Sequence, residues 1–229
     1  MYKKVIKRLI DIILSGIGII VLAVPMVVIA IAIKIDDPGP VLFKQKHVGQ
    51  KKNGELTYFT MWKFRSMKMS TPHDTPTHLL ENPEQYITRV GKILRKYSLD
   101  ELVQVFQVFA SDIAVVGPRP CLPNQTDLIA ERERYGANDV KPGITGWAQI
   151  NGRDELEIDV KAKFDGEYAA ALNAGKGKCF AMDIRCFFGT FLSVLRADGV
   201  VEGGTGEMKK QEAEKQQAEK QQEEETVTK

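Results

Sequence analysis

The hydrophobic pattern of the chain is dominated by one long apolar run near its beginning. Ile12 to Ile33 is a stretch of 22 residues without a charged side chain. With a rise of about 1.5 Å per residue, a helix of this length matches the roughly 30 Å hydrocarbon core of a bilayer. The run is longer than the apolar core of a signal peptide, which is about 7–15 residues. The pattern therefore predicts a membrane-inserted helix rather than a cleaved leader.

The proline and the charges around this run bear on how it enters the membrane. Pro25 lacks an amide donor and clashes with the preceding turn, so it kinks or breaks a helix. Basic residues flank both ends of the run, and the positive-inside tendency would keep both ends on the cytoplasmic side. This favours a re-entrant helix broken at Pro25, with a straight, proline-kinked span as the alternative. The flanking bases are Lys3, Lys4, Lys7 and Arg8 before the run and Lys34, Lys44, Lys46, Lys51 and Lys52 after it.

One acidic residue, Asp11, adjoins the start of the run. At helical spacing Lys7 and Arg8 lie four and three residues before it, so the three side chains share one face. A carboxylate at a membrane boundary is costly unless it is paired. The spacing predicts an ion-paired anchor made of Lys7, Arg8 and Asp11, and a solvated interfacial charge is the alternative.

Three segments of unlike composition divide the chain. Residues 1–35 form the predicted re-entrant membrane helix, and residues 36–202 a globular domain that begins in a turn rich in proline and glycine. Residues 203–229 form a charged tail, either disordered or a solvated helix, with seven Glu and five Lys between positions 207 and 229. The tail therefore carries a net charge of −2, and the rest of the chain carries +4.

Periodicity in the globular segment predicts a mixed α/β fold that is mostly helical. Short strands are expected at Val41–Phe43 and Leu56–Phe64, joined by a turn at Gln50–Gly54. Apolar residues at helical spacing cover Gly91–Ala110, where Ser98 is the expected N-cap of a helix. Further helices are predicted at Asp127–Gly136, Phe164–Leu172 and Met182–Leu195.

The helix predicted at Met182–Leu195 has one broad apolar face. Such a face suits an amphipathic helix lying on a membrane, and it suits a core helix nearly as well. The expected architecture is thus a small cytoplasmic domain with an N-terminal, Pro-broken re-entrant helix and interfacial amphipathic helices.

Overall charge and rare residues exclude several classes of protein. A net charge of +2 over 229 residues argues against a nucleic-acid binder, which normally carries a concentrated basic face. The cysteines lack C-x-x-C spacing, so neither a zinc site nor a disulfide framework is predicted. The scattered histidines are expected at the surface. The residues concerned are Cys121, Cys179 and Cys186, and His47, His73 and His78.

Two adjacent acids, Asp100 and Glu101, follow the expected cap at Ser98. Carboxylates favour the positive end of a helix dipole, which alone would explain the pair. A carboxylate can also attack a phosphorus centre and form an acyl phosphate. Hard oxygen ligands of this kind suit Mg²⁺, which commonly binds one or two carboxylates together with substrate phosphates. The pair is therefore a candidate catalytic and metal site.

Two further motifs contain cations and glycines that suit phosphate groups, and Lys63–Met67 adds two more cations after a predicted strand. Arg119 stands between two prolines in Val116–Pro120, a rigid turn that holds a planar guanidinium ready for phosphate oxygens. The segment Lys141–Arg153 contains three glycines, which let backbone amides approach a ligand closely. With the membrane run, these motifs indicate phosphorylated substrates, at least one of them lipidic. The candidate substrate contacts are Lys63, Arg65, Arg119, Gln149, Asn151 and Arg153.

Taken in order, these motifs resemble those of the bacterial sugar transferases, the monotopic polyprenyl-phosphate phosphoglycosyl transferases. The resemblance runs from Lys7 to about Val200 and is to the minimal catalytic unit of that family. Several long motifs in the same order are far more specific than any one alone. They are Lys7-Arg8 with Asp11, the helix containing Pro25, Lys63–Met67, Ser98–Leu102, Val116–Pro120 and Pro142–Arg153.

The resemblance implies an enzyme on the cytoplasmic face of the inner membrane, held there by a re-entrant helix. It would transfer a phosphosugar from a UDP-sugar to undecaprenyl phosphate or a similar lipid and release UMP, the first membrane step in polysaccharide or glycoconjugate assembly. By this likeness Asp100 is a nucleophile that forms a covalent phosphosugar intermediate, and Glu101 is its partner. Mg²⁺ would lie with both acids, and Arg119 and Arg153 would hold phosphate.

Other functions stay open at this point. A non-catalytic membrane scaffold for cell-envelope enzymes is the first alternative, and an enzyme acting on a soluble acceptor is the second. The implied partners are the UDP-sugar, undecaprenyl phosphate and membrane lipids, with no nucleic acid. A second copy of the chain and downstream glycosyltransferases are further candidate partners. The identity of the transferred sugar is not predicted.

Overall fold

A computed structural model of the chain describes residues 2–71, 83–152, 156–174 and 177–196. Arg153, His73, His78 and the predicted tail at 203–229 lie outside the described residues. The described helices are α1 (Lys7–Asp36), α2 (Arg89–Lys96), α3 (Val105–Ala110), α4 (Thr126–Arg134), α5 (Trp147–Ile150), α6 (Ile158–Ala174) and α7 (Lys178–Arg196). The described strands are β1 (Leu42–Lys52), β2 (Glu55–Phe64), β3 (Ala114–Val116) and β4 (Gly143–Thr145).

Strands β1 and β2 form an antiparallel hairpin that is longer than the sequence predicts. The first strand was expected to end at Phe43, but it continues to Lys52 because its polar side chains alternate across the sheet. Lys44 and Lys46 are exposed, and their ammonium groups lie 5.5 Å and 4.5 Å from the ring centroids of Trp62 and Tyr58. The cation–π contacts let lysines cover the rings of the neighbouring strand.

The hairpin closes at Asn53 and Gly54, both of which have positive φ, at 53° and 85°. Two-residue turns of this handedness match the twist of antiparallel strands, and Asn-Gly is a favoured pair for them. The predicted turn is therefore confirmed and narrowed to two residues.

The helical spacing over Gly91–Ala110 corresponds to three helical pieces, one of which begins at Leu99 as expected. Helix α2 ends at Lys96, a 3₁₀ helix covers Leu99–Gln104, and α3 follows from Val105. Ser98 has φ 53° and ψ 28° and makes no side-chain capping hydrogen bond. A capping serine needs extended backbone to reach the next amides, so the left-handed backbone of Ser98 turns the chain instead of capping a helix.

Strands β3 and β4 form a short parallel pair, with Ala114 opposite Gly143 and Val116 opposite Thr145. Val116 packs in a core cluster with Tyr168 of α6 and with Cys179 and Cys186 of α7, all of them buried. The helices predicted near α4, α6 and α7 are confirmed as helices, and the latter two are longer than expected.

Helix α1 is continuous from Lys7 to Asp36 and contains Pro25 in its interior. The break predicted at Pro25 is therefore not observed, and re-entrance stays a prediction. Among the described residues, α1 is long and apolar enough to cross a membrane by length and composition.

One face of α1 packs along the globular part. Met26 and Ile33 are buried in a cluster with Phe64, Leu94 and Val103. The opposite face is bare and apolar, and its side chains expose 51–78% of their surface. They are Leu9, Ile13, Ile17, Ile20, Val21, Val24, Val27, Val28, Ile31 and Ile35.

Both ends of α1 are held by the same globular part. At the start, Arg8 donates to the carbonyls of Val108 and Phe109 at the end of α3, each at 2.7 Å. At the far end, the Asp36 carboxylate accepts a hydrogen bond from the Val90 amide of α2 at 2.8 Å. The helix thus lies against the globular part along its whole length rather than projecting from it.

Candidate active site

Three segments that are distant in sequence bring the candidate acids and cations together. Asp100 and Glu101 lie in the 3₁₀ helix Leu99–Gln104, which packs against β2. Lys63 stands at the end of β2, and Arg119 follows β3. The packing of these segments brings both cations to the Glu101 side chain.

Glu101 accepts hydrogen bonds from two cations. Its Oε1 accepts from Lys63 Nζ at 2.9 Å and from Arg119 Nη2 at 2.7 Å, and its Oε2 accepts from Arg119 Nη1 at 3.3 Å. Burial by itself would raise the pKa of Glu101, but the charges and hydrogen bonds of Arg119 and Lys63 outweigh it and hold the pKa well below its usual range. Glu101 is thus ionised and its charge is compensated.

Asp100 has a different environment, although it is the next residue. No hydrogen bond to its carboxylate is found among the described residues, and burial raises its pKa. The neighbouring charge of Glu101 raises the pKa further, whereas Lys63 opposes the shift. Adjacent acids whose environments push their pKa values apart are typical of sites that give two carboxylates different tasks.

The donor set at these acids bears on a metal ion. Within the described part of the chain, no group of three or more His, Cys, Asp or Glu side chains converges. The oxygens of Glu101 already accept from Lys63 and Arg119, which leaves the Asp100 carboxylate as the available oxygen ligand. One carboxylate completed by substrate phosphates is a recognised way to bind Mg²⁺, so the residues fit a metal that arrives with its substrate.

Two of the three glycines between Lys141 and Arg153 pack against the turn that leads into Arg119. A Cβ on Gly143 would lie 2.2 Å from the Gly117 nitrogen, and one on Gly146 would lie 2.2 Å from the Gly117 oxygen. Only glycine permits so close an approach of two backbones. The Gly117 amide donates to the Thr145 carbonyl at 2.8 Å, which fixes the turn leading into Arg119.

Comparison with known proteins decides the family. Residues 2–197 match the family model described as bacterial sugar transferase. The chain belongs to the bacterial sugar transferase family. The resemblance seen in the sequence is therefore confirmed.

Individual relatives of this sugar transferase differ in how much of their length it covers. The UDP-glucose:undecaprenyl-phosphate glucose-1-phosphate transferase of Escherichia coli K12 is 37% identical over 72% of this chain and 36% of that protein. The undecaprenyl-phosphate galactose phosphotransferase of Salmonella typhimurium is 34% identical over 86% of this chain and 42% of its own. The uncharacterized sugar transferase EpsL of Bacillus subtilis is 34% identical, with 86% and 90% covered. The chain thus spans about a third of the E. coli relative and most of the B. subtilis one.

Of the other predicted substrate contacts in this sugar transferase, Arg65 lies apart from the acids. Its guanidinium pairs with the carboxylate and the carbonyl of Asp37, just after α1. Asn151 donates to the Trp147 carbonyl at 2.7 Å and so closes the end of α5. Gln149 donates to the Ile144 carbonyl at 3.0 Å, while its buried Oε1 has no partner among the described residues. The structure brings Lys63 and Arg119 to the acids and leaves Arg65 outside.

The predicted anchor at the start of α1 forms different pairs from those expected. Lys7 pairs with Asp183 of α7 at 3.1 Å, rather than with Asp11. Asp11 is buried and accepts a hydrogen bond from the Val115 amide of β3 at 3.0 Å. Lys7 and Asp11 thus each connect α1 to the globular part. The predicted ion pair between Lys7 and Asp11 is not formed.

His47 lies near the acid–cation cluster, and the surface position expected from the sequence is wrong. Its side chain is buried in β1, and its Nδ1 lies 3.1 Å from the Gln45 carbonyl. Burial, with the charges of Lys63 and Arg119, lowers the pKa of His47 to about 4. A neutral imidazole therefore lies near the acid–cation cluster. In the sequence, the alternation of Lys44 and Lys46 along β1 is the signal that would have predicted an inward-facing His47.

A polar cavity of about 110 Å³ adjoins Arg119 and was not predicted. At its wall, Arg132 of α4 and Asp165 of α6 form a buried ion pair at 2.6 Å, and Arg132 also donates to the Arg119 carbonyl at 3.0 Å. The lining residues are Arg119, Pro120, Cys121, Gln125, Leu128, Arg132, Ala148, Gln149, Lys161 and Asp165.

Proposed function

We propose that this sugar transferase moves a phosphosugar from a UDP-sugar to undecaprenyl phosphate or a similar polyprenyl phosphate and releases UMP. The observation that carries the proposal is the contrast between two adjacent acids. Glu101 is neutralised by two cations, whereas Asp100 is left without a hydrogen bond from the described residues. The names of the E. coli and S. typhimurium relatives support the substrate class.

In the first half-reaction, an Asp100 carboxylate oxygen attacks the sugar-bearing phosphorus of the UDP-sugar. A P–O bond forms to Asp100, the bond to the oxygen bridging the two phosphates breaks, and UMP leaves with that oxygen and its electron pair. A covalent aspartyl phosphosugar remains on the chain. This step accounts for a half-buried acid that forms no ion pair with the described residues.

In the second half-reaction, a phosphate oxygen of the polyprenyl phosphate attacks the same phosphorus. The bond to Asp100 breaks, the carboxylate is restored, and the product is a polyprenyl diphosphate sugar. Two displacements let a soluble donor and a lipid acceptor use one site in turn, and ping-pong kinetics follow. This reaction would begin the assembly of a polysaccharide or glycoconjugate on the membrane.

The two cations stabilise the negative charge that shifts between carboxylate and phosphate oxygens in both steps. Lys63 and Arg119 lie where they offset the carboxylates and the incoming phosphates, and Glu101 positions both of them. Arg153, Arg65, Gln149 and Asn151 remain proposed substrate contacts. Mg²⁺, held by Asp100 with Glu101 beside it, would supply further neutralisation of the diphosphate.

We also propose that α1 enters and leaves the membrane on the cytoplasmic face. A straight helix of 30 residues is about 45 Å long, so a full span would separate its two ends across the bilayer. Arg8 at one end and Asp36 at the other both bind the same globular part. Attachment at both ends supports a helix whose bare face is sunk into lipid while the globular part stays at the surface.

The experiment that tests the proposed activity is UMP release from a panel of UDP-sugars. Without lipid, we expect a burst of about one UMP per chain, and addition of undecaprenyl phosphate should convert it to turnover. Removal of divalent cations with EDTA should stop both, and Mg²⁺ should restore them. If no UDP-sugar yields UMP in the presence of Mg²⁺ and lipid, the proposed activity is wrong. That result would favour the alternative of a non-catalytic membrane scaffold.

A further inference from the structure

Two residues that line the polar cavity beside Arg119 each have a buried side-chain oxygen without a hydrogen-bond donor among the described residues. Asp165 is 1% exposed; its Oδ2 accepts from Arg132, at 2.8 Å from Nε, whereas its Oδ1 has no partner in the described part of the chain. Gln149 donates its amide nitrogen to the Ile144 carbonyl, and its buried Oε1 has no partner among the same residues. An unpaired buried acceptor is unfavourable, so two in one polar cavity point to a ligand that donates hydrogen bonds.

The two unpaired oxygens argue against a phosphate as that ligand, although Arg119, Arg132 and Lys161 are also in the lining. An ionised phosphate oxygen only accepts hydrogen bonds, and it would meet the Asp165 carboxylate and the Gln149 carbonyl oxygen. Hydroxyl groups fit better, because each can donate to an acceptor and still accept from a cation such as those in the lining.

The lining also argues against the nucleobase of the donor. No aromatic ring is present among the described residues that line the cavity, so a flat base would find no stacking surface there. Uracil offers a single N–H donor, whereas a hexose ring offers several hydroxyls to the two acceptors.

Arg119 connects this cavity with the reacting group. Its guanidinium binds Glu101, and the residue also lines the cavity. In a UDP-sugar the hexose is joined through its anomeric oxygen to the phosphorus that Asp100 would attack. A UDP-sugar with this phosphorus at Asp100 and its sugar directed past Arg119 would therefore place the hexose in the cavity.

We propose that this cavity holds the hexosyl ring of the donor, with Gln149 Oε1 and Asp165 Oδ1 each accepting a hydrogen bond from a ring hydroxyl. The inference rests on the proposed function and names the part of the site that distinguishes one sugar from another. A site whose buried acceptors need hydroxyl partners rejects a sugar in which the matching hydroxyl is missing.

The test compares equilibrium binding of UDP-sugar and UDP, with all variants built on Asp100→Asn to prevent turnover. Gln149→Leu removes the acceptor, and Gln50→Leu is the matched control because Gln50 donates its amide to the Asp139 carbonyl at 2.8 Å outside the cavity. We expect Gln149→Leu to weaken the binding of the preferred UDP-sugar by about 3- to 10-fold, which corresponds to the loss of one neutral hydrogen bond. The affinity for UDP should be unchanged. Gln50→Leu should alter neither.

Substrate analogues test the same contact from the side of the ligand. Among donors that lack one ring hydroxyl each, one should bind about 3- to 10-fold more weakly to the chain with Gln149 intact and show no such loss in Gln149→Leu. An equal loss for UDP and UDP-sugar would assign the cavity to the nucleotide, and no loss for any analogue would also overturn the proposal. Because binding is measured without catalysis, failure here is separable from failure to release UMP.

Discussion

Arg119 donates two hydrogen bonds to Glu101, one from each terminal nitrogen, at 2.7 Å and 3.3 Å. This two-pronged contact orients both groups, because the planar guanidinium and the carboxylate match edge to edge. Lys63 adds a third hydrogen bond at 2.9 Å. Glu101 therefore binds two cations, and the neighbouring Asp100 is the proposed nucleophile.

Replacing Asp100 with Asn removes the anionic oxygen while keeping size and shape. We expect UMP release to fall by at least about 10³-fold and the labelled chain to disappear when the donor carries a radioactive sugar-bearing phosphate. Asp127→Asn, an exposed position in α4, is the control and should label like the parent. Lipid-linked product formed at the parent rate by Asp100→Asn would rule out Asp100 as nucleophile.

Replacing Arg119 with Lys keeps the charge and loses the fork that binds both Glu101 oxygens. Because a lysine cannot make this paired contact, we expect kcat/KM for the UDP-sugar to fall by about 10- to 100-fold. Arg134→Lys is the matched control, since Arg134 is 73% exposed and pairs only locally with Glu131 in α4. Equal kinetics in Arg119→Lys and Arg134→Lys would show that charge alone, without orientation, is what matters at Arg119.

His47 gives the fold a pH dependence whose sign follows from burial. Its pKa is about 4 in the fold and about 6.5 in an unfolded chain, so the unfolded state binds more protons between these values. Stability is therefore full above about pH 6.5 and falls by about 3 kcal/mol as the pH drops to 4. His47→Gln cannot charge, so its melting temperature relative to the parent should rise between pH 7 and pH 5. A constant difference between the two proteins over that range would contradict this account.

The sequence predicted some of these features because they depend on local pattern. The apolar run Ile12–Ile33 predicted α1, whose observed bounds are Lys7–Asp36, since length and composition suffice for such a helix. Asp100, Glu101 and Arg119 were selected by motif, and the structure brings them together. The hairpin turn at Asn53–Gly54 was likewise readable, because few residue pairs adopt positive φ so readily.

Other features depend on contacts between distant parts of the chain and carry little local signal. Asp11 accepts a hydrogen bond from Val115, 104 positions later, rather than pairing with Lys7 along its own helix. Arg65 looked equivalent to Lys63 beside a strand, yet its partner is Asp37. His47 directly follows the exposed Lys46 in sequence but faces the interior, because adjacent strand positions point to opposite sides.

The two attachments of α1 predict that both of its ends face the same side of the membrane. We would introduce Ile6→Cys and Lys34→Cys separately, because both positions are exposed and flank the apolar run. The native cysteines Cys121, Cys179 and Cys186 are buried, so the parent chain serves as the unlabelled control. A membrane-impermeant maleimide should leave both variants unlabelled in intact spheroplasts and label both in inverted vesicles. Labelling of one end in spheroplasts and the other in inverted vesicles would instead show a straight span, and the contacts of Arg8 and Asp36 with one globular body could not then coexist.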